Sequence, residues 1–140
     1  MKKIFSSIIA VLALAFITVT VTSCEMTYSK DYDPLIQWFA PHTGDSGDWC
    51  EPRDDNKLTY NASTGLYEIT ITTGRKNVGI SVCQDANYSG QLNWDKADAA
   101  TQAAFSWKDD YGNKQLVIKN AGDYKITVNN TEKVWTVTAQ

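Results

Sequence analysis

Five tryptophans occur in this 140-residue chain, and three of them sit among polar neighbours: Trp49 in "SGDWCEP", Trp94 in "QLNWDK" and Trp107 in "FSWKDDY". A flat aromatic ring held out by a loop offers a platform for an apolar face, such as the C–H face of a pyranose. Hydroxyls taken out of water need hydrogen-bond partners, and the same stretches supply Asn87, Gln91, Asn93, Lys108 and Asp109. Tyr88 and Tyr111 add two more rings. The candidate carbohydrate-binding set is therefore Trp49, Trp94, Trp107, Tyr88, Tyr111, Asn93 and Lys108. The competing reading is that each tryptophan caps an end of the fold, as buried tryptophan often does in β-sandwiches. Trp38 and Trp135 lie in apolar, alternating stretches and are expected in the core. One platform with a few hydrogen bonds yields about −4 to −5 kcal/mol, a dissociation constant on the order of 0.1–1 mM. Dense display on a membrane would raise the effective affinity through avidity.

Other chemistries find less support. The stretch "GDSGDWCEPRDDN" (residues 44–56) carries Asp45, Asp48, Glu51, Asp54 and Asp55, oxygen ligands of the kind calcium takes. Its spacing matches no EF-hand loop and Arg53 interrupts it, so a solvated acidic loop is expected and no metal is assigned. His42 is the only histidine, which leaves a Ser-His-Asp arrangement resting on one residue with no partner motif. Glycoside hydrolysis needs two carboxylates at a fixed separation across a cleft, a pattern that 16 acidic residues mimic by accident. No catalytic residue, no enzyme activity and no cofactor are assigned.

The N-terminus reads as an export signal. Lys2 and Lys3 precede ten unbroken apolar residues (8–17), too few for a transmembrane helix of about 20 residues and right for a signal-peptide core. The run ends in "VTSC", which resembles a bacterial lipobox whose cysteine, Cys24, receives lipid. Residues 1–23 are expected to be a lipoprotein signal peptide and residues 24–34 a lipidated tether. "SKDYD" within that tether resembles the acidic surface-export signal of Bacteroidota lipoproteins, and is equally compatible with a plain solvated linker. Loss of the signal takes two lysines, leaving 11 basic against 16 acidic residues, a formal charge of −5. An acidic chain without a basic cluster is a poor nucleic-acid binder, so membrane attachment falls to the acyl chains on Cys24. Cys50 and Cys83 remain; outside the cytoplasm they pair or stay as two free thiols, and the sequence leaves both open.

The elements that would carry these residues are strands. "GLYEITI" (residues 65–71) and "GDYKITV" (residues 122–128) repeat one phrase with apolar residues at every second position, the period of a half-buried strand. The flanks of the two copies differ, which argues for strand grammar rather than a duplicated module. Further strands are expected at "LIQWFA" (35–40), "KLTY" (57–60), "NVGISVC" (77–83), "QLVIK" (115–119) and "VWTVTA" (134–139). "GRK" is expected as a hairpin link and the last three strands as a closing meander. "DKADAATQAAF" (95–105) reads as a helix capped by Asp95, or as a loop. About seven short antiparallel strands over residues 35–140 indicate an all-β sandwich of Ig-like or carbohydrate-binding-module-like type.

The phrases "LTYNASTGLYEITI" and "GNKQLVIKNAGDYKITVNNTEKVWTVT" resemble the glycan-binding domains of SusE and SusF, surface lipoproteins of Bacteroidota starch-utilisation systems. The resemblance covers about residues 35–140. It implies a non-catalytic carbohydrate-binding sandwich anchored in the outer membrane and facing the cell surface. The implied partners are an oligo- or polysaccharide, a starch-like glucan among them, and other glycan-uptake proteins. Those relatives carry several domains in tandem, whereas this chain has room for one. The alternative is a structural or adhesion-type lipoprotein that binds a protein partner with its aromatics buried.

Overall fold

A computed structural model describes residues 32–140; the signal peptide, Cys24 and most of the tether lie outside the described residues. Nine strands form among them: β1 (His42–Thr43), β2 (Trp49–Cys50), β3 (Thr59–Asn61), β4 (Leu66–Thr73), β5 (Val78–Ile80), β6 (Ser106–Asp110), β7 (Asn113–Ile118), β8 (Gly122–Asn129) and β9 (Val134–Ala139). They make two antiparallel sheets, one ordered β2-β1-β5-β7-β6 and the other β3-β4-β8-β9. The all-β sandwich expected from the sequence is the fold, with nine strands rather than seven. "LIQWFA" contributes only a single bridge residue, Phe39, which pairs with Lys57 on one side and Cys83 on the other. β1, β2 and β6 are the strands the pattern did not announce.

The repeated phrase pairs with itself. β4 and β8 run antiparallel, so Tyr67 faces Val128, Ile69 faces Ile126 and Ile71 faces Tyr124. Every inward residue of one copy meets an inward residue of the other, and the two tyrosines fall at opposite ends of the ribbon. Each tyrosine then fastens its own end: Tyr67 donates to the carbonyl of Asp33 (3.2 Å) and Tyr124 to that of Asn120 (2.9 Å). Two residues placed in the tether, Tyr32 and Asp33, thus touch the sandwich; the Tyr32 ring lies 4.8 Å from that of Tyr60.

Both edges of β4 are taken, by β3 and β8. The chain after Thr73 therefore crosses to the other sheet, and "GRK" is not a hairpin. The same holds for residues 119–121: β7 belongs to the five-stranded sheet and β8 to the other, so the expected closing meander is only the β8–β9 pair.

Between the sheets lie Trp38, Ile80, Leu116, Ile118, Ile126, Val128 and Trp135, all 0% exposed. A buried indole removes about 150–250 Å² from water, worth on the order of 4–6 kcal/mol before ordering costs at about 25 cal/mol per Å². Neither indole N–H is left bare. Trp38 Nε1 donates to Asn130 Oδ1 (3.1 Å) and Trp135 Nε1 to the carbonyl of Asn93 (2.9 Å).

The outer edge of β9 is covered by α1 (Ala99–Ala104) and its lead-in. Asp98, not Asp95, is the N-cap, accepting from the Thr101 N–H at 2.8 Å. The helix cannot begin earlier because Ala97 is held extended by a parallel bridge to Trp135. Asp98 N–H donates to the Trp135 carbonyl (3.0 Å), and the Thr101 hydroxyl accepts from Val137 N–H (3.0 Å). An otherwise open strand edge is satisfied in this way. Thr101→Val keeps the volume and orphans a buried N–H, so urea unfolding should show a loss of about 1–3 kcal/mol. Thr101→Ser, which keeps the hydroxyl, should recover most of it; equal losses in both variants would assign the effect to packing.

Candidate functional site

One face of the five-stranded sheet packs on the core and the other faces out. The register fixes which residues share the outer face: Thr43 lies opposite Trp49, and Lys108 lies opposite Gln115. Along β5, Val78 and Ile80 point to the core, which turns Gly79 and, one residue beyond the strand, Ser81 outward. Thr43, Trp49, Ser81, Lys108 and Gln115 line a groove of about 770 Å³ over this face. Its walls come from loops at both ends of the sheet: Gly47, Arg75 and Asn77 at one, Tyr88, Asp110 and Tyr111 at the other.

The floor is built from side-chain amides and hydroxyls. Gln91 Nε2 donates to Ser81 Oγ at 3.3 Å, which ties the long loop after β5 to the sheet. Gln115 is only 4% exposed, and its Oε1 is buried without a partner among the described residues. Gly79 makes room for it: a Cβ there would stand 2.2 Å from that oxygen. A buried amide oxygen left unpaired costs about 1–3 kcal/mol; Tyr60 Oη, Thr73 Oγ1 and Asn93 Oδ1 are also unpartnered among the described residues, and of the four residues only Gln115 lines this groove.

The aromatic wall is held rather than floppy. Trp49 Nε1 donates to Tyr88 Oη at 2.6 Å, so the phenol's own proton is available to an acceptor in the groove. Burial pushes the Tyr88 phenol up, Glu51, Cys83 and Asp110 add to this, and the Trp49 hydrogen bond acts against it; the hydroxyl stays protonated at neutral pH. The loop that presents Tyr88 is wound around Asp85, whose Oδ1 accepts from the N–H groups of Asn87 (2.8 Å) and Ser89 (3.0 Å). Those N–H groups, Ser89 first, hold the Asp85 carboxyl below the usual range.

Four residues other than glycine adopt a left-handed backbone among the described residues, and three of them line the groove: Asn77 (φ 60°), Tyr88 (φ 60°) and Tyr111 (φ 51°). Asparagine tolerates that region, whereas a bulky ring there costs energy that the surroundings must supply. Tyr111 occupies the first central position of the two-residue β6–β7 turn, before Gly112 (φ 84°), where asparagine, aspartate or glycine is usual. It is fully exposed, so no packing explains the choice.

Of the residues singled out from the sequence, Trp49, Tyr88, Tyr111 and Lys108 line this groove, together with Gln91. Asn87 and Asp109 do not line it, being taken up in their own turns, and the other three of the candidate set lie elsewhere. Trp94 sits in a 3-10 turn (Trp94–Lys96) and packs partly against the core. Asn93 props Trp135 through its backbone carbonyl. Trp107, 47% exposed, belongs to β6 and shares the face of Leu116, with Lys114 Nζ 5.2 Å from its ring centre. The three loop tryptophans therefore do not form one platform. Asn77, Asn113 and Gln115 are groove residues that the sequence did not single out; the first two sit beside turns, and only the third lies within an apolar strand.

The two thiols are free. Cys50 pairs with His42 across one edge of the segment formed by residues 39–43, and Cys83 pairs with Phe39 across the other. A strand lies between them and their partners on it are three residues apart, which puts their Cα atoms well over 10 Å apart, beyond the roughly 7 Å limit for a disulfide. The acidic loop does not converge either. Asp45 Oδ1 accepts from Gly74 N–H (2.8 Å) and Asp55 pairs with Arg53 (2.7 Å), and among the described residues no three potential metal ligands cluster.

Two measurements follow from this geometry. Tyr111→Asn should raise the stability of the domain by about 1 kcal/mol, because it relieves a strained backbone and loses no contact; a lower urea midpoint would show that the ring packs on something. Burial pushes the Cys83 thiol up to about 12. In a Cys24→Ser background, iodoacetamide at pH 8 should therefore label Cys50 in the folded protein and reach Cys83 only in urea.

Compared with known proteins, the chain matches no family model, no curated protein sequence and no solved structure.

Proposed function

We propose that this chain is a lipid-anchored outer-membrane protein whose sandwich binds an oligo- or polysaccharide in the sheet-face groove, without catalysis. The observation that carries the reading is the buried, unpartnered oxygen of Gln115 in the floor of a groove walled by aromatic rings. Saccharides combine hydroxyl donors with apolar C–H faces, and the groove offers acceptors below and rings beside. Trp49, Tyr88 and Tyr111 supply stacking surface, while Asn77, Gln91, Asn113, Gln115 and Lys108 supply hydrogen bonds. Asp110 is the one carboxylate lining the groove, and His42 is turned away to bond the Ala40 carbonyl at 2.9 Å. A single carboxylate does not make the pair that glycoside hydrolysis uses. The N-terminal signal with Cys24 supports membrane attachment, and the resemblance of the strand phrases to SusE and SusF domains makes starch-like glucans the first ligands to try.

Tryptophan fluorescence of the full chain in a polyoxyethylene detergent, titrated with oligosaccharides to about 10 mM, tests this against the sub-millimolar to millimolar affinity expected of one small site. A saturable change should appear, disappear in Trp49→Ala, and survive in Trp94→Ala and Trp107→Ala. No response to any saccharide, with Trp49 reachable by acrylamide, would move the protein-partner alternative ahead. Loss of binding in Trp94→Ala or Trp107→Ala alone would place the site elsewhere.

A further inference from the structure

The two ends of the groove differ in charge. Arg75 and Asn77 lie where the chain enters β5, opposite Ile118 at the end of β7, whereas Asp110 lies opposite Asn113 at its start. Five residues of extended strand separate those ends, about 17 Å. Lys108 starts from β6 in the middle of the groove and leans across β7 toward β5: its Cε stands 3.2 Å from where a Cβ on Gly79 would be. Arg75 is half-buried and lies on Gly47, whose Cβ would stand 2.5 Å from Nη1. Gly47 has φ 96°, a conformation that favours glycine, so both the turn and the guanidinium require the bare backbone there. Each cation is thus laid along the groove over a glycine that clears its path.

Neither cation is neutralised. The ion pairs among the described residues are Arg53–Asp55, Lys114–Asp95 and Lys125–Glu68, all away from the groove. Asp45, whose carboxylate lies beside Gly74, the residue before Arg75, is engaged by the Gly74 N–H. A half-buried guanidinium without a carboxylate and a lysine lining the same groove fit a ligand that brings its own negative charge, while the orphaned Gln115 oxygen takes a hydroxyl donor.

Resting on the saccharide reading above, we infer that the groove is selective for an anionic saccharide, with a carboxylate or sulfate group held at the Arg75–Lys108 end. The ring adjoining it lies against Trp49, and its hydroxyls meet Gln115.

The test is a pair of isothermal titrations on the full chain in polyoxyethylene detergent. One arm uses neutral maltohexaose and cellohexaose; the other uses hexameric oligogalacturonate, which bears carboxylates only, and a chondroitin sulfate hexasaccharide, which also bears sulfate. Charged hydrogen bonds should favour the anionic arm by about tenfold or more in dissociation constant. That margin should shrink as salt rises from 50 to 500 mM, since screening acts on the charge term alone. Arg75→Gln and Lys108→Gln should each bring anionic affinity down toward the neutral value, with near-ultraviolet circular dichroism unchanged. Lys76→Gln, the same charge loss one residue from Arg75 and outside the groove lining, should leave it unaltered. Tighter binding of oligogalacturonate than of the sulfated chain assigns a carboxylate, and the reverse order a sulfate. Equal binding of neutral and anionic hexamers overturns this inference and leaves the saccharide site standing. Binding of neither overturns both.

Discussion

Seven consecutive residue pairs join β4 to β8, from Tyr67–Val128 to Thr73–Gly122, and the rest of the molecule is arranged around that ladder. Once β8 and β3 hold the two edges of β4, no edge is left for the strand that follows it in sequence. The chain must leave the sheet after Thr73, cross the end of the sandwich and start β5 on the other layer. That crossing deposits Arg75 and Asn77 at the mouth of the groove. The same constraint acts on β7, which cannot join β8 and so ends on the far sheet, where its outward side chains, Gln115 above all, become the groove floor. The groove on one sheet is thus set by pairing in the other.

The groove also shows where the fold spends stability rather than gaining it. Each sheet buries one face against the core, and the outer face of the four-stranded sheet is finished with compact polar pairs: Thr127 with Thr136 at 2.7 Å, Thr72 with Asp123 at 2.6 Å, Lys125 with Glu68 at 3.0 Å. The outer face of the five-stranded sheet is not finished in this way. It keeps an unpartnered amide oxygen, two cations without carboxylates and two tyrosines in left-handed backbone. Such departures tend to gather at sites that work on something else. Two faces of one sandwich, made from the same residue types, differ in whether their polar groups satisfy each other.

How much of this could be read from the chain depends on how local the cause was. β4, β8 and β9 are legible because one face of each is buried and the other is not, so their alternation is printed in the sequence. β6, "SWKDD", is an edge strand with no buried residue, and nothing in its composition separates it from a loop. β1 and β2 are two residues long, below any periodicity. "GRK" and "NAGD" look like hairpin turns because crossings use the same turn-forming residues; which strand follows next to which is decided by edges occupied far away in sequence. In the site, Trp49 stood out by type and setting. Gln115 could not, since "QLVIK" reads as a strand and its orphaned oxygen exists only once Gly79 lies beneath it. Tyr88 and Tyr111 were noticed as rings, but their backbone strain is invisible in a sequence where turn rules expect asparagine or glycine.

On the proposed reading, an acidic chain that selects an anionic saccharide has to do so at short range. The formal charge of −3 gives the protein as a whole a field that repels polyanions. At physiological ionic strength that field decays over about 8 Å, so it slows encounter without reaching into a docked complex. Inside the groove the balance reverses. Arg75 lies half-buried over Gly47 in the turn between β1 and β2, the exposed Lys108 reaches over Gly79 on the sheet face, and a carboxylate or sulfate placed there would meet hydrogen bonds in place of diffuse charge. Selectivity then comes from dissociation rather than from steering: long polyanions are not attracted from a distance, and those that arrive stay only where a ring, an amide floor and two cations can be engaged together. The glycines at positions 47 and 79 are what let that engagement happen at contact distance, which makes two absent side chains as much a part of the site as the aromatic ones.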